Sequence, residues 1–410
     1  MKDNYPISVS VEEGIDLILK ETKIISICTE SVENLDGRVL AKDVVSKENI
    51  PPFRRSPLDG YAMRSEDIKQ ASKENPVTLK IIEEVPAGHV ATKAISKGEA
   101  IKILTGATIP DSADCVIKFE DTEFDSEKVT VFAPLKSGQN VVPAGEDVKI
   151  GDIVVKKGTK LTPSQVGLLA GLGCDKVEVY KKPSVTLIST GDELVEVREE
   201  LKPGKIRNSS AYNLNSILER SGLNSKMYGI VKDTTQEIGD AIKKAFESSD
   251  MVITTGGVSV GDYDKIKDAI SYIGGKIIYW KTKMKPGSAF LAATYNDKLF
   301  FGLSGNPAAA AVALHIVCMP AIRKMCGIEE YQHKVIQVHT LSDFKKKSPN
   351  RRYIPGKLVI ENGKACILTA ESQGNGMLSP LNNCDIIANI EAGNTGIEKD
   401  TLLDAVFIFR

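Results

Sequence analysis

Between residues 183 and 326 the chain alternates short apolar runs with segments of helical periodicity, and this alternation restricts its fold more than any other feature. Residues 185–189, 226–230, 251–254, 276–280 and 299–303 read as strands, and 213–221, 235–248, 263–272 and 307–326 read as helices. Parallel neighbours in a sheet need a long crossover, usually a helix, so the pattern predicts a largely parallel, doubly wound sheet with helices on both faces. In such sheets ligands settle in the crevice outside the carboxyl ends of the strands. The residues just after each strand are therefore the first candidates for function.

A chain of 410 residues is too long for one core at roughly 100 to 200 residues per domain. Residues 44–160 have a different rhythm: Val- and Ile-rich runs at 77–85, 100–104, 114–120 and 128–132 alternate with Gly, Pro, Asp and Ser, the mark of turn-rich β structure. After Gly327 the pattern is again β, with strands expected at 335–339, 357–360, 364–368, 384–390 and 402–409. Two helices stand outside the α/β stretch. One lies at 9–20, where Ser10 is a plausible N-cap before Glu12 and Glu13; the other runs through 162–172, with Pro163 in its first turn and Gly173 at its end. The amino terminus carries acids and no apolar core, unlike a signal peptide. The longest apolar run, 308–319, falls short of the roughly 20 residues needed to cross a bilayer and reads as a buried helix.

Fifty-three Lys and Arg against 54 Asp and Glu leave a net charge of -1, which removes any global attraction to nucleic acid or an anionic membrane. Anion binding must then be local. Seven cysteines, odd in number and never spaced CxxC, fit reduced thiols in a cytoplasmic protein rather than a zinc site. The four histidines never take HExxH spacing, which argues against a His-centred metal hydrolase.

Three strand ends carry chemistry. In MVITTGGVSVGDYD, residues 251–264, a strand runs into Gly256 and Gly257 and then a helix; bare glycines let backbone amides approach an anion, and the helix adds its positive end. For an isolated glycine pair the plainer reading is a tight strand-to-helix turn, and the segment is neither a Walker A loop nor GxGxxG. LFFGLSGNPAAA, residues 299–310, repeats the architecture with Pro307 as the first helical residue. VTLISTGDEL, residues 185–194, places Ser189, Thr190, Asp192 and Glu193 after its last apolar residue. Carboxylates beside a phosphate cradle require a cation, so Glu193, Asp233, Asp262 and Asp264 suggest magnesium, while Asp233 and Asp264 are also placed to cap helices. Lys281 and Lys285, in WKTKMKPGSAF, can supply positive charge to an oxyanion or serve as surface lysines. Outside this stretch, PPFRRSPLDGYAM presents Asp59, and Thr105 and Asp147 occupy similar turns.

Taken in order, SPLDGYAM, LTGATIP, PAGEDV, STGDEL, TTGGVSVGDYD, KMKPG and GLSGNPAAA resemble the molybdopterin molybdenumtransferases of the MoeA and gephyrin E-domain type, over nearly the whole chain. The resemblance implies a multidomain α/β plus β protein. An elongated discontinuous domain would comprise 1–48 and 148–178, leaving open whether the N-terminal helix packs on the α/β domain. An inserted β domain would cover 49–147, a MoaB/MogA-like doubly wound domain 179–328 and a C-terminal β-barrel 329–410. It also implies a cytoplasmic homodimer with a cleft between subunits. The implied activity is magnesium-dependent insertion of molybdenum from molybdate into the dithiolene of adenylylated molybdopterin, with release of AMP. By motif position the catalytic set is Asp59, Thr105, Asp147, Glu193, Asp233, Asp264, Lys281 and Lys285, with Glu193, Asp233 and Asp264 on magnesium. Gly256, Gly257, Ser259, Gly305 and Asn306 would hold the phosphates or nucleotide.

Two other readings compete: an adenylyltransferase acting on molybdopterin, and a noncatalytic scaffold holding the cofactor. A molybdopterin adenylyltransferase and molybdoenzyme maturation proteins are the partners the resemblance suggests; nucleic acid and membrane are not. Four positions depart from the family pattern. Asn208 and Ser210 stand where Asp and Asn are common, Ser288 replaces a lysine and Asn375 a serine. Asn208 cannot supply the negative charge of an aspartate, which implies slower chemistry or altered metal affinity.

Overall fold

A computed structural model describes residues 5–258, 265–370, 374 and 376–408. The chain forms two compact units, one of Met1–Ala41, Lys157–Thr162 and Val177–Arg410, the other of Lys42–Lys156 and Pro163–Lys176.

The first unit is built on a seven-stranded sheet in the order Ile7–Val9, Lys276–Thr282, Phe290–Tyr295, Lys298–Leu303, Met251–Thr255, Ser184–Thr190, Asn224–Val231. Only Phe290–Tyr295 runs antiparallel to its neighbours. Its central strands are buried almost without a break, as expected where both faces are covered. Leu214, Ile217 and Leu218 of the helix Ser209–Arg220 join Ala310, Ala311 and Val312 in the core on one face. On the other, the helices Thr235–Phe246 and Lys265–Tyr272 bury Ile238, Ile242, Ile266 and Ile270 against Val252, Leu291 and Phe300.

The strand Phe290–Tyr295 is not among the strands read from the sequence, which expects none between 276–280 and 299–303. A two-residue turn, Asn296 and Asp297, joins it to Lys298–Leu303, and both residues have positive φ (49° and 64°), the conformation that a tight hairpin demands and that Asn and Asp tolerate. The helix Val11–Glu21 begins as the sequence predicts: Ser10 caps it by accepting from Glu13 N at 3.1 Å. It buries Val11, Ile18 and Leu19 in the first of the two cores. Gly14 permits that approach, since a Cβ there would lie 2.8 Å from the hydroxyl of buried Tyr279.

The helix Pro307–Met325 is long and apolar enough to cross a membrane, yet 89% of its most apolar window is buried inside the protein, the placement of a core helix. Pro320 has no N–H for the carbonyl four residues earlier, that of Ile316, and the helix widens to π geometry over Leu314–Cys318. The ring of His333 meets this need: its Nε2 lies 2.9 Å from Ile316 O, and because a carbonyl only accepts, the proton sits on Nε2.

Five strands, Val335–Thr340, Arg351–Glu361, Lys364–Thr369, Ile386–Ile390 and Leu402–Phe407, close into a barrel through pairing of Arg351–Glu361 with Ile386–Ile390. Val338, Ile367, Ile386, Ala388 and Ala405 fill it. The short strand Met284–Lys285 adds to Arg351–Glu361 in parallel. The second unit carries a six-stranded sheet, Cys115–Lys118, Gly60–Met63, Glu99–Ile103, Val77–Val85, Lys128–Val131 and Thr122–Phe124, with an apolar cluster around Tyr61 and Leu79 and another around Ala62 and Ile101.

Burial drives the imidazoles of His315 and His333 down to about 3 and about 4. Both are neutral in the native state, so below the ordinary histidine value near 6.5 the unfolded chain binds more protons. Stability should therefore be complete above pH ~6.5 and decline as the pH falls towards 4. In urea denaturation at pH 7.5, His333→Leu should cost about 1–3 kcal/mol by stranding Ile316 O. His333→Gln, which keeps a donor, should cost less and soften the acid dependence.

Candidate functional site

Three strand ends of the first unit meet at one place. Gly256, following Met251–Thr255, has φ +89°, and a Cβ there would stand 2.1 Å from Thr190 O at the end of Ser184–Thr190. At Gly257 (φ +65°) a Cβ would stand 2.9 Å from the Thr190 hydroxyl. Gly256 N donates to Leu303 O at 3.1 Å, and a Cβ at Gly305 would touch Gly256 Cα at 3.4 Å. The three turns singled out in the sequence are thus in mutual contact.

The helix Ser209–Arg220 ties them from beneath. Asn208 is its N-cap, 3% exposed, and its Oδ1 accepts from Ala211 N at 3.4 Å and from Ser189 Oγ at 3.0 Å. Thr255 Oγ1 donates in turn to Ser189 Oγ at 3.3 Å, and Ser210 Oγ donates to Gly305 O at 3.0 Å. Asn208 and Ser210 here wire the strand ends together, and the Asn208 oxygen is already committed to two donors. Among the described residues, the Thr190 hydroxyl is buried without a hydrogen-bond partner. Asn306 caps the helix Pro307–Met325 through its backbone conformation, its side chain making no cap hydrogen bond. Pro307 removes one of the N–H groups that would otherwise point out of that helix start.

Acids gather beside these turns. Asp233 N donates to Asp192 Oδ1 at 3.5 Å, and Asp233 Oδ1 is buried with no donor among the described residues. Burial, then Asp192 and Glu193, push the Asp233 carboxyl above the usual aspartate range, against the pull of Lys265. Thr234, not Asp233, caps the helix Thr235–Phe246, accepting from Glu237 N at 3.3 Å. This corrects the capping alternative for Asp233. Glu193 folds over Gly191, where a Cβ would stand 2.6 Å from its Oε2. Asp264, Asp262 and Ser259 lie outside the described residues, as does Asn375. Among the described residues no three His, Cys, Asp or Glu side chains form a ready metal cage. An acceptor without a donor among carboxylates nevertheless suits magnesium, which keeps several waters and takes one or two carboxylates together with substrate phosphates. Asp192 and Lys265 were not among the predicted site residues, although Asp192 stands in the same TGDEL turn as Glu193.

Lys281 lies in the strand Lys276–Thr282 with φ +69°. For a residue with a side chain this left-handed conformation costs about 1–2 kcal/mol and persists only where the surroundings impose it. The strand is parallel to the three that form the turns, so its carboxyl end is on the same edge of the sheet. Register places Trp280, Leu291, Gly302 and Thr254 in one row. At about 4.8 Å per strand, Lys281 stands roughly 14 Å along that edge from Thr255. Lys285 is exposed on the short strand beside Arg352, and Ser288 O accepts from Thr282 N at 3.1 Å.

Asp59, Thr105 and Asp147 belong to the second unit. Thr105 donates both its N–H and its hydroxyl to Asp59 Oδ1, each at 2.7 Å, which holds the Asp59 carboxyl below its ordinary range and fixes an exposed carboxylate. Gly60 is required next to it, because a Cβ would fall 1.8 Å from Ile117 O. Asp147 is exposed, its N–H bonded to Ile50 O at 2.9 Å.

Comparison with known proteins bears on this arrangement. The MoeA N-terminal region (domain I and II) matches residues 9–173, a probable molybdopterin binding domain matches 186–324, and the MoeA C-terminal region (domain IV) matches 337–407. Molybdopterin molybdenumtransferases of Staphylococcus epidermidis and Staphylococcus aureus are each 34% identical over 398 residues, covering 97% of this chain and 95% of theirs. Among solved structures, a molybdopterin biosynthesis MoeA protein from Pyrococcus horikoshii is 33% identical with a TM-score of 0.84, covering 98% of this chain and 100% of its own.

The Asp233 carboxyl yields a direct test. A carboxyl raised by folding favours the native state while protonated and disfavours it as the pH rises through its folded range. Asp233→Asn should therefore melt above the parent at pH 7.5, with the difference narrowing towards pH 4. Millimolar magnesium should raise the melting temperature of the parent and leave that of the variant unchanged.

Proposed function

The chain belongs to the molybdopterin molybdenumtransferase family, enzymes of molybdenum cofactor biosynthesis, and from that premise we propose how its residues divide the work. The observation that carries the proposal is the junction of the turns at Thr190, Gly256 and Gly305, which leaves a buried hydroxyl with no partner among the described residues, beside a cluster of carboxylates. Adenylylated molybdopterin is the substrate, with its phosphates over Gly256, Gly257, Gly305 and Asn306, where glycine lets backbone approach the oxygens and the helix at Pro307 offers its positive end.

Glu193 and Asp233, with Asp192 close by, hold magnesium at those phosphates; when bound, the ion offsets phosphate charge. Lys265 balances the acids. Lys281, further along the edge, and Lys285 attract molybdate, and the roughly 14 Å offset matches a substrate whose phosphates and reacting dithiolene are at opposite ends. The dithiolene sulfurs are the metal's new ligands, so the protein need supply no covalent nucleophile. Asp59, fixed by Thr105, and Asp147 take part in the same reaction. The protein acts as a cytoplasmic homodimer, receiving its substrate from a molybdopterin adenylyltransferase and passing its product to molybdoenzyme maturation proteins.

The discriminating assay loads the purified protein with adenylylated molybdopterin and then adds molybdate. Release of AMP in step with molybdate supports insertion. Retention of the intact adenylylated pterin marks a scaffold, and its formation from molybdopterin and ATP marks an adenylyltransferase. Asp59→Asn should lower the rate of AMP release by about 100-fold or more, the usual loss when a group that acts in the transition state is removed, and Lys281→Met should lower it at limiting molybdate through a raised KM for molybdate.

A further inference from the structure

We infer that Trp280 is a positioning residue for Lys281, holding its ammonium over the indole face so that it is oriented for an incoming oxyanion. The inference rests on the reading of Lys281 as the molybdate-binding lysine and goes beyond it. Successive residues of a strand point to opposite faces of the sheet, so Trp280 and Lys281 should have side chains on opposite sides. They do not. The left-handed φ of +69° at Lys281 breaks the alternation, and Lys281 Nζ stands 3.9 Å from the centroid of the Trp280 ring. Lys267 Nζ, from the helix Lys265–Tyr272, lies 5.1 Å from the same centroid.

The backbone on either side is pinned. Trp280 N donates to Pro6 O at 3.1 Å, Thr282 N to Ser288 O at 3.1 Å and Lys283 N to Val9 O at 2.8 Å. Trp280 itself is partly buried and packs on the core shared by Ile266, Ile270 and Leu291. A flexible lysine stem thereby gains a fixed aromatic wall, and cation–π attraction favours the charged head at that wall. A cation whose orientation is settled before the substrate arrives loses less freedom on binding, which favours substrate affinity rather than the chemical step.

Trp280 is the only tryptophan of the chain, so its fluorescence reports this contact directly. In the full-length protein we expect a saturable change in emission on titration with molybdate, absent in Lys281→Met. In the AMP-release assay, Trp280→Leu should raise the KM for molybdate about 10-fold with kcat within about twofold, and Trp280→Phe, which keeps an aromatic face, should raise it about threefold. If Lys281→Met leaves the KM for molybdate unchanged, the reading of Lys281 fails and the inference falls with it. If Lys281→Met raises that KM while Trp280→Leu and Trp280→Phe, both folded, do not, the inference alone is overturned. Should Trp280→Leu not fold, an unchanged KM in Trp280→Phe together with no molybdate-dependent emission in the parent overturns it equally.

Discussion

The site depends on one steric fact: backbone meets backbone where three strands end. Gly256 lies so close to Thr190 that a single added carbon would stand 2.1 Å from a carbonyl oxygen, and Gly305 backs onto Gly256 in turn. Separate turns could each bind an anion weakly. Pressed together, they make a continuous surface of backbone, and the wiring through Ser189, Thr255, Asn208 and Ser210 holds it rigid from below. The sheet sets the rest of the arrangement, because its register decides how far Lys281 stands from the turns.

The polar groups at this edge are not balanced for stability. Among the described residues, Thr190 has a buried hydroxyl with no partner and Asp233 a buried oxygen with no donor, and Lys281 takes a backbone conformation that favours glycine. Each costs the native state something, and each would make chemical sense with the proposed phosphorylated substrate and magnesium in place. Asp233 is the clearest case. Burial, and after it the neighbouring acids, oppose its ionisation, and a divalent cation would turn that repulsion into attraction. Elsewhere the chain completes its hydrogen bonds by less obvious means, as where His333 serves the carbonyl that Pro320 leaves open.

Much of this was legible in the residues. The strand-and-helix alternation from 183 to 326 predicted the doubly wound sheet, and its principle that ligands gather at carboxyl ends pointed to the turns that do converge. What escaped was mostly long-range. The strand Phe290–Tyr295 was missed although Asn296 and Asp297 carry a hairpin signal, because a short apolar run beside a Pro-Gly turn looks like a loop. The edge strand Ile7–Val9 is only three residues and exists through its partner Lys276–Thr282. No periodicity announces that Asn208 is a cap shared with a strand hydroxyl, or that Lys281 turns back over Trp280. Those facts depend on which segments the fold brings together.

Hydrogen exchange measured with AMP and magnesium tests the convergence itself. If the turns form one phosphate-binding surface, peptides spanning 190–193, 256–257 and 304–309 should slow together, while the barrel strand Val335–Thr340 exchanges as before. Protection of one turn alone, or of none, would contradict the account.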